Sequence, residues 1–195
     1  MTQIILASSS STRKELMDRL NLDYLAISPD IDESAIPDET ADQLAQRLSI
    51  EKSEIIAKQH PDAIVIGSDQ VAWCEDDPFN FIGKPYTVEG AIAQLKNQSG
   101  KVVCFSTGLS VQQHSKNIAF NQVVHFKVKF RDLTKAEIER YVAFDQPLYC
   151  AGSFKCESLG LSLFEWTQGE DFTALMGLPL IQLCGFLRQF AVQTP

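Results

Sequence analysis

Apolar positions along the chain change their period several times, and each change marks a switch between strand and helix. Ile4, Ile5 and Leu6 form a short apolar run that stops at the four serines Ser8 to Ser11, after which Leu16, Met17 and Leu20 recur at helical spacing. This is strand, loop, helix. Residues 22–29 (LDYLAISP) read as a second strand, and residues 29–42 as an acidic loop broken by two prolines. Thr40 with Gln43 makes a capping box for a long helix, whose stripe of Leu44, Leu48, Ile55 and Ile56 lasts to the turn at His60-Pro61. Residues 63–67 (AIVIG) then predict a buried strand ending at Ser68-Asp69-Gln70.

Residues 75–86 predict a loop, and Thr87 opens a helix through about Gln98. Two strand-like stretches, 102–111 and 119–130, pair as a hairpin across the polar turn 112–117. Thr134 and Glu137 make a second capping box for a helix to Phe144. A loop from Cys150 to Gly160 leads to a short strand, LSLFE, and a last helix follows Gly177-Leu178-Pro179. Strands alternating with helices give an α/β class with a mixed sheet. The chain has 195 residues, no internal repeat and no low-complexity linker, so one compact domain over 1–195 is expected.

Composition narrows the partners. Twenty-five acidic against 17 basic residues leave a net charge of −8, which argues against gripping nucleic acid over a long surface. Residues 20–46 hold seven acids (Asp23, Asp30, Asp32, Glu33, Asp38, Glu39, Asp42) and no lysine or arginine, so the charge is concentrated there. A small polyanion with its metal remains compatible with it. The five cysteines are widely spaced without a CxxC pair and read as reduced cytosolic thiols. No apolar run nears the roughly 20 residues that span a bilayer, and no basic n-region opens the chain, so a cytoplasmic protein without a membrane partner is expected.

The stretch ILASSSSTRK puts small hydroxyls and two cations where a buried strand meets a helix N-terminus, a setting that attracts phosphate through exposed N–H groups, serine hydroxyls and the fork of Arg13. The alternative is a solvated serine turn with an N-cap. Asp69 closes the most hydrophobic strand, where open α/β sheets place ligands, and could be metal ligand, general base or turn cap. Asp32-Glu33 reads on its own as solvated loop charge, unless two carboxylates converge on a divalent cation. Lys52 lies inside a helix, where snorkelling past Leu48 or Ile56 is the plain reading, and Lys84 sits in the constrained Gly83-Lys84-Pro85 turn, either reaching a phosphate or decorating that turn. The chain has no GxSxG elbow, no GxGxxG and no GxxxxGK[ST].

Taken in order and spacing, LASSSSTRKELM, DIDES, the lysine of IEKSE, VIGSDQV, the GKP turn, STGL, FRDLTKAEIERYV, CAGSFKCESLG and MGLPL resemble the Maf family of septum formation inhibitor Maf-like nucleoside triphosphate pyrophosphatases, over nearly the whole chain. The resemblance implies a mixed twisted sheet with flanking helices, in two lobes around a central cleft, Maf/ITPase-like. It implies a divalent cation (Mg²⁺, Mn²⁺ or Co²⁺) and hydrolysis between the α and β phosphates of a nucleotide, as a house-cleaning activity. Asp69 would activate water, Ser8, Ser10, Arg13, Lys14, Lys52, Lys84 and Lys155 would hold the substrate, and Glu33 with Asp69 would hold the metal. Gln70 after Asp69, and CAGSFKCESLG, resemble the 7-methyl-GTP branch rather than the dTTP and UTP branch, with Thr12, Gln70 and Glu157 at the selectivity positions. Glu157 could accept from guanine N1–H and the exocyclic amine, and a cationic purine favours a nearby acid or aromatic face; a solvated loop acid is the alternative. Lys14 replaces a second arginine and lacks its fork, and Thr12 stands where related members carry an aromatic ring. The resemblance also suggests a homodimer. A dTTP or UTP pyrophosphatase, a non-catalytic nucleotide-binding regulator of cell division, and a phosphate-binding module of another hydrolase type are the competing readings.

Overall fold

Ile4–Ala7 forms the first strand (β1), every residue buried, and Ser11–Asp18 the first helix (α1), which turns Leu16 and Met17 inward. The computed structural model describes residues 2–194. Leu25–Ile27 (β2) is shorter than its apolar stretch, and Ala41–Gln59 (α2) begins at the capping box, with both reciprocal bonds between Thr40 and Gln43 made. That cap fixes where α2 starts. Replacing Thr40 by alanine orphans the Gln43 N–H and should cost about 1 kcal/mol in urea denaturation; an unchanged midpoint would show that the first turn frays without loss.

Two corrections concern the middle of the chain. The strand expected at 63–67 runs over Ile64–Cys74 (β3), and the expected loop at 75–86 contains Asp77–Ile82 (β4), which pairs antiparallel with β3 (Ala72 opposite Ile82). Val71 and Ala72 are buried, so the buried apolar run resumes past the polar Ser68-Asp69-Gln70 interruption instead of ending there. Val88–Gln98 (α3) follows its Thr87 cap, and the two long strands are Val102–Gln113 (β5) and Ile118–Phe130 (β6), joined by a 3₁₀ turn at His114–Lys116. Lys135–Asp145 (α4) starts at the second capping box. The strand expected at LSLFE begins later, at Phe164–Gly169 (β7), because Leu159–Leu163 winds as a 3₁₀ turn. A short helix unmarked in the sequence pattern, Phe172–Leu175 (α5), precedes the last one, Leu180–Gln189 (α6).

The sheet is mixed and has seven strands, in the order β2-β1-β3-β5-β6-β7 with β4 on β3. β1 pairs parallel with β2 and with β3 (Leu6 opposite Ala26 and Ile66), and β6 pairs antiparallel with β7. The chain divides into two compact units, one from Met1–Gln70, Ser106–Val124 and Asp171–Pro195, the other from Val71–Phe105 and His125–Glu170. In the first, Ile5, Ala7 and Val65 of β1 and β3 pack with Ile56 and Ala57 of α2 and with Ala63. Gly67 lets α2 approach β3, since a Cβ there would lie 2.2 Å from the Ser49 carbonyl oxygen. In the second, Phe130, Phe154 and Phe164 meet edge to face at 4.9–5.9 Å and Phe105 joins them through Phe154 at 5.7 Å, geometries that aromatic quadrupoles favour. No helix among the described residues is long and apolar enough to cross a membrane.

Candidate active site

The first unit carries the serine loop between β1 and α1. Ser10 is the N-cap of α1 and its hydroxyl accepts from the Arg13 N–H, while the Ser8 hydroxyl, buried, accepts from the Ser10 N–H at 3.2 Å. Both bonds use oxygen lone pairs, so each hydroxyl keeps its O–H to donate outward. The reading as a capping turn and the reading as an anion cradle are therefore compatible: the caps orient the donors. Thr12 and Lys14 lie half-buried on α1, and the Lys14 carbonyl accepts from the Tyr24 hydroxyl.

Arg13 is held from behind. Its Nε donates to the Gly177 carbonyl at 2.8 Å. Burial pulls the guanidinium below its ordinary pKa, and the charges of Asp69 and Glu33 act in the opposite direction. Gly177 has φ of +95°, a conformation for which glycine is the natural residue, and its carbonyl also accepts from the Ser68 hydroxyl at 2.9 Å. Asp171 organises this loop: its carboxylate accepts from the Thr173 and Ile181 N–H groups.

Lys52 corrects the snorkelling reading. Its ammonium is buried and donates to Asp69 Oδ1 at 2.6 Å and lies 2.7 Å from Glu33 Oε1. The helix alone could not reveal this, because both partners come from distant segments. Glu33 in turn is not simply solvated charge: its side chain is largely exposed, yet one oxygen reaches the buried ammonium. Asp69 lies inside β3 rather than at the end of that strand, but just beyond Ile66, the last residue paired with β1, so it still sits where the parallel pairing stops. Gln70 donates through Nε2 to the Ala174 carbonyl at 2.7 Å and to Leu175 O and Thr107 Oγ1 at 3.1 Å. Its amide nitrogen is thus committed to the protein, and its carbonyl is the group it can offer a ligand.

Two carboxylates from separate segments converge on one positive charge, and hard oxygen donors of this kind suit Mg²⁺ or Mn²⁺ when phosphate oxygens and water complete the shell. Among the described residues no group of three or more His, Cys, Asp or Glu could hold a metal ion. The fit is to a metal shared with a phosphate ligand.

Lys84, Lys155 and Glu157 belong to the second unit. Lys84 is exposed in the link between β4 and α3, and the preceding Gly83 carbonyl accepts from Gln94 at 3.0 Å. Ser153 donates to the same Gln94 side chain, which ties the GKP turn to the CAGSFK segment. Lys155 is half-buried and donates its N–H to the Tyr141 hydroxyl; Glu157 is exposed and accepts from the Cys156 thiol. Burial and Glu157 push that thiol up to about 12. The Cys150 thiol is also raised, by burial first and then by the charge of Glu157, with Lys155 and Lys84 acting against them.

The motif reading assigned no part to Ser68, Thr107, Asp171 and Gly177. Asp171 had a signal, a capping residue two positions before a threonine, but the hydroxyls of Ser68 and Thr107 sit in apolar strands whose sequence carries no mark of their partners.

The serine loop, a half-buried arginine and a lysine clasped by two acids lie together in the first unit of a mixed α/β fold. The family model described as Maf-like protein matches residues 3–190, and the chain belongs to that family. It is 60% identical, over all of its length and 98% of the relative's, to a nucleoside triphosphate pyrophosphatase of Acinetobacter baylyi, and 49% identical over both full lengths to a 7-methyl-GTP pyrophosphatase of Pseudomonas aeruginosa. Both relatives are thus hydrolases by name. The fold is similar to the Ham1 protein of Staphylococcus aureus (TM-score 0.56, 16% identity, 96% of this chain and 99% of that one) and to a HAM1 protein of Coxiella burnetii (TM-score 0.57, 16% identity, 97% and 100%).

Proposed function

We propose that the protein hydrolyses 7-methyl-GTP to 7-methyl-GMP and pyrophosphate. The observation that carries the reading is the clasp of Lys52 between Asp69 and Glu33 in the same unit as the serine loop and Arg13. Ser8 and Ser10 donate hydroxyl hydrogens to phosphate oxygens, and the terminal nitrogens of Arg13, whose Nε is already fixed on Gly177, form the fork that binds them. Lys14, Lys84 and Lys155 supply further positive charge. Water attacks and the anhydride between the α and β phosphates breaks; Asp69, with Oδ1 held by Lys52, takes the proton on Oδ2, and pyrophosphate leaves. Glu33 and Asp69 would hold a divalent cation, which when bound neutralises charge on the phosphate oxygens. Selectivity for the base is assigned to Thr12, Gln70 and Glu157, the Gln70 carbonyl and the Glu157 carboxylate being hydrogen-bond acceptors. The named activity of the Pseudomonas relative supports the methylated substrate, and that of the Acinetobacter relative the broader reaction.

A panel of 7-methyl-GTP, GTP, dTTP and UTP tests this, with Mg²⁺, Mn²⁺ or Co²⁺ and then with a chelator. Pyrophosphate should appear fastest from 7-methyl-GTP, and chelation should stop it until the metal is restored. A preference for dTTP and UTP would move the protein to the other branch; binding without turnover would make it a regulator, and release of single phosphates another hydrolase type.

A further inference from the structure

We infer that Tyr86 and Tyr149 form an aromatic rest for the 7-methylguanine base and set the preference for the methylated base over guanine, an inference that rests on the nucleotide reading above. Both tyrosines belong to the second unit and both are exposed, at 62% and 74%, unusual for large aromatic side chains that already touch each other. Their rings meet edge to face with centroids 6.2 Å apart, an arrangement that leaves ring faces open to a planar ligand.

The backbone holds the pair in place at a cost. Tyr86 has φ of +59°, a left-handed conformation that strains a bulky side chain, and its N–H donates to the Leu148 carbonyl at 2.9 Å. That bond ties the segment carrying Tyr86 to the one carrying Tyr149. Tyr86 follows Lys84 by two residues, and Tyr149 immediately precedes Cys150 in the segment that also carries Lys155 and Glu157. Nearby, the Ser158 hydroxyl donates to the buried Asp145 at 2.7 Å, which anchors the residue next to Glu157.

The chemistry of these groups fits one ligand class. Methylation at N7 leaves guanine with a positive ring, and a cation over a phenol face is attracted by the ring quadrupole. Glu157 adds an acceptor for the guanine N1–H and amine on the same unit. An unmethylated guanine keeps the hydrogen bonds and loses the cation–π attraction, so the tyrosines discriminate the two while Glu157 selects guanine. Thr12, at a selectivity position, has no ring to contribute.

The test measures kcat and KM for 7-methyl-GTP and for GTP in the wild type, Tyr149→Leu, Tyr86→Leu and Tyr149→Phe. Both leucine variants should lower the ratio of kcat/KM for 7-methyl-GTP over GTP about tenfold, with the loss in KM for the methylated nucleotide, and the phenylalanine variant should restore it because a ring face remains. Because both side chains are exposed, thermal melting should confirm that every variant folds. A wild type that prefers 7-methyl-GTP, with leucine variants that keep the preference, overturns the tyrosine assignment alone. A wild type without hydrolysis of 7-methyl-GTP overturns the nucleotide reading and this inference together. Leucine variants changed only in self-association, measured by sedimentation, would assign the tyrosines to an interface between copies and overturn it as well.

Discussion

Replacing Asp69 by asparagine is expected to lower kcat for pyrophosphate release on the order of 10³-fold, the loss of a positioned base, equivalent to about 4 kcal/mol of barrier. The amide is nearly isosteric, and its oxygen can still accept from Lys52 at the place where Asp69 Oδ1 accepts at 2.6 Å. Lys52 also keeps its contact with Glu33. The fold should therefore survive. What changes is the charge balance: Arg13 and Lys52 face Glu33 and Asp69 as two positive and two negative groups, and asparagine leaves one positive charge in excess. That excess favours an anionic phosphate, so binding should be kept while turnover falls, and the expected signature is a collapse of kcat with a modest change in KM. Turnover kept within tenfold of the wild type would remove Asp69 as the proton acceptor.

The largest effect on stability is expected from Gly67→Ala. The added Cβ would lie 2.2 Å from Ser49 O, 2.8 Å from Ser53 N and 2.9 Å from Ser53 Cβ, and two of those atoms are backbone of α2. A flexible side chain could yield; a helix backbone must move as a body. Overpacking of this kind costs about 3 kcal/mol, which for a chain of this size lowers Tm by about 6–12 °C. Activity should fall with it, because α2 carries Lys52 and a displaced helix loosens the contact with Asp69. Gly185→Ala is the matching control: its nearest neighbour is the Gln182 side chain at 4.0 Å, so the helix-propensity gain should leave Tm unchanged or slightly raised. Equal melting of the two variants would mean that β3 and α2 do not approach as closely as Gly67 implies.

Both results turn on features with very different visibility in the sequence. The capping boxes at Thr40 and Thr134 were legible because each is a local exchange of bonds between residues three apart, and the same locality made α2, α3 and α4 readable to within a residue or two. The motif segments marked Ser8, Ser10, Arg13, Glu33, Lys52, Asp69 and Gln70, and the structure gathers their surroundings into one unit. β4 was missed because Pro78 and its acidic neighbours read as a loop, and its pairing with β3 is a contact no local window contains. The ion pairs of Lys52 are hidden for the same reason. On its own helix its neighbours are Leu48 and Ile56, and only the approach of β3 and the 29–42 loop supplies the two carboxylates.

The sequence by itself determined the order of the strands and helices other than β4 and α5, the caps that open α2, α3 and α4, the excess of acid in residues 20–46 and the set of residues able to carry phosphate chemistry. These follow from side-chain period, local hydrogen bonding and charge, which are properties of neighbours along the chain. Only the tertiary structure decided how those residues act: that Lys52 is clasped between Asp69 and Glu33, that Arg13 donates to the Gly177 carbonyl, that the Gln70 amide nitrogen is spent on the 174–175 carbonyls, and that Tyr86 and Tyr149 meet in the open. Each of these joins residues from 17 to more than 160 positions apart. Burial and sheet pairing set such distances, and the strength of a charge or hydrogen bond depends on them far more than on which residues stand next to it in the chain.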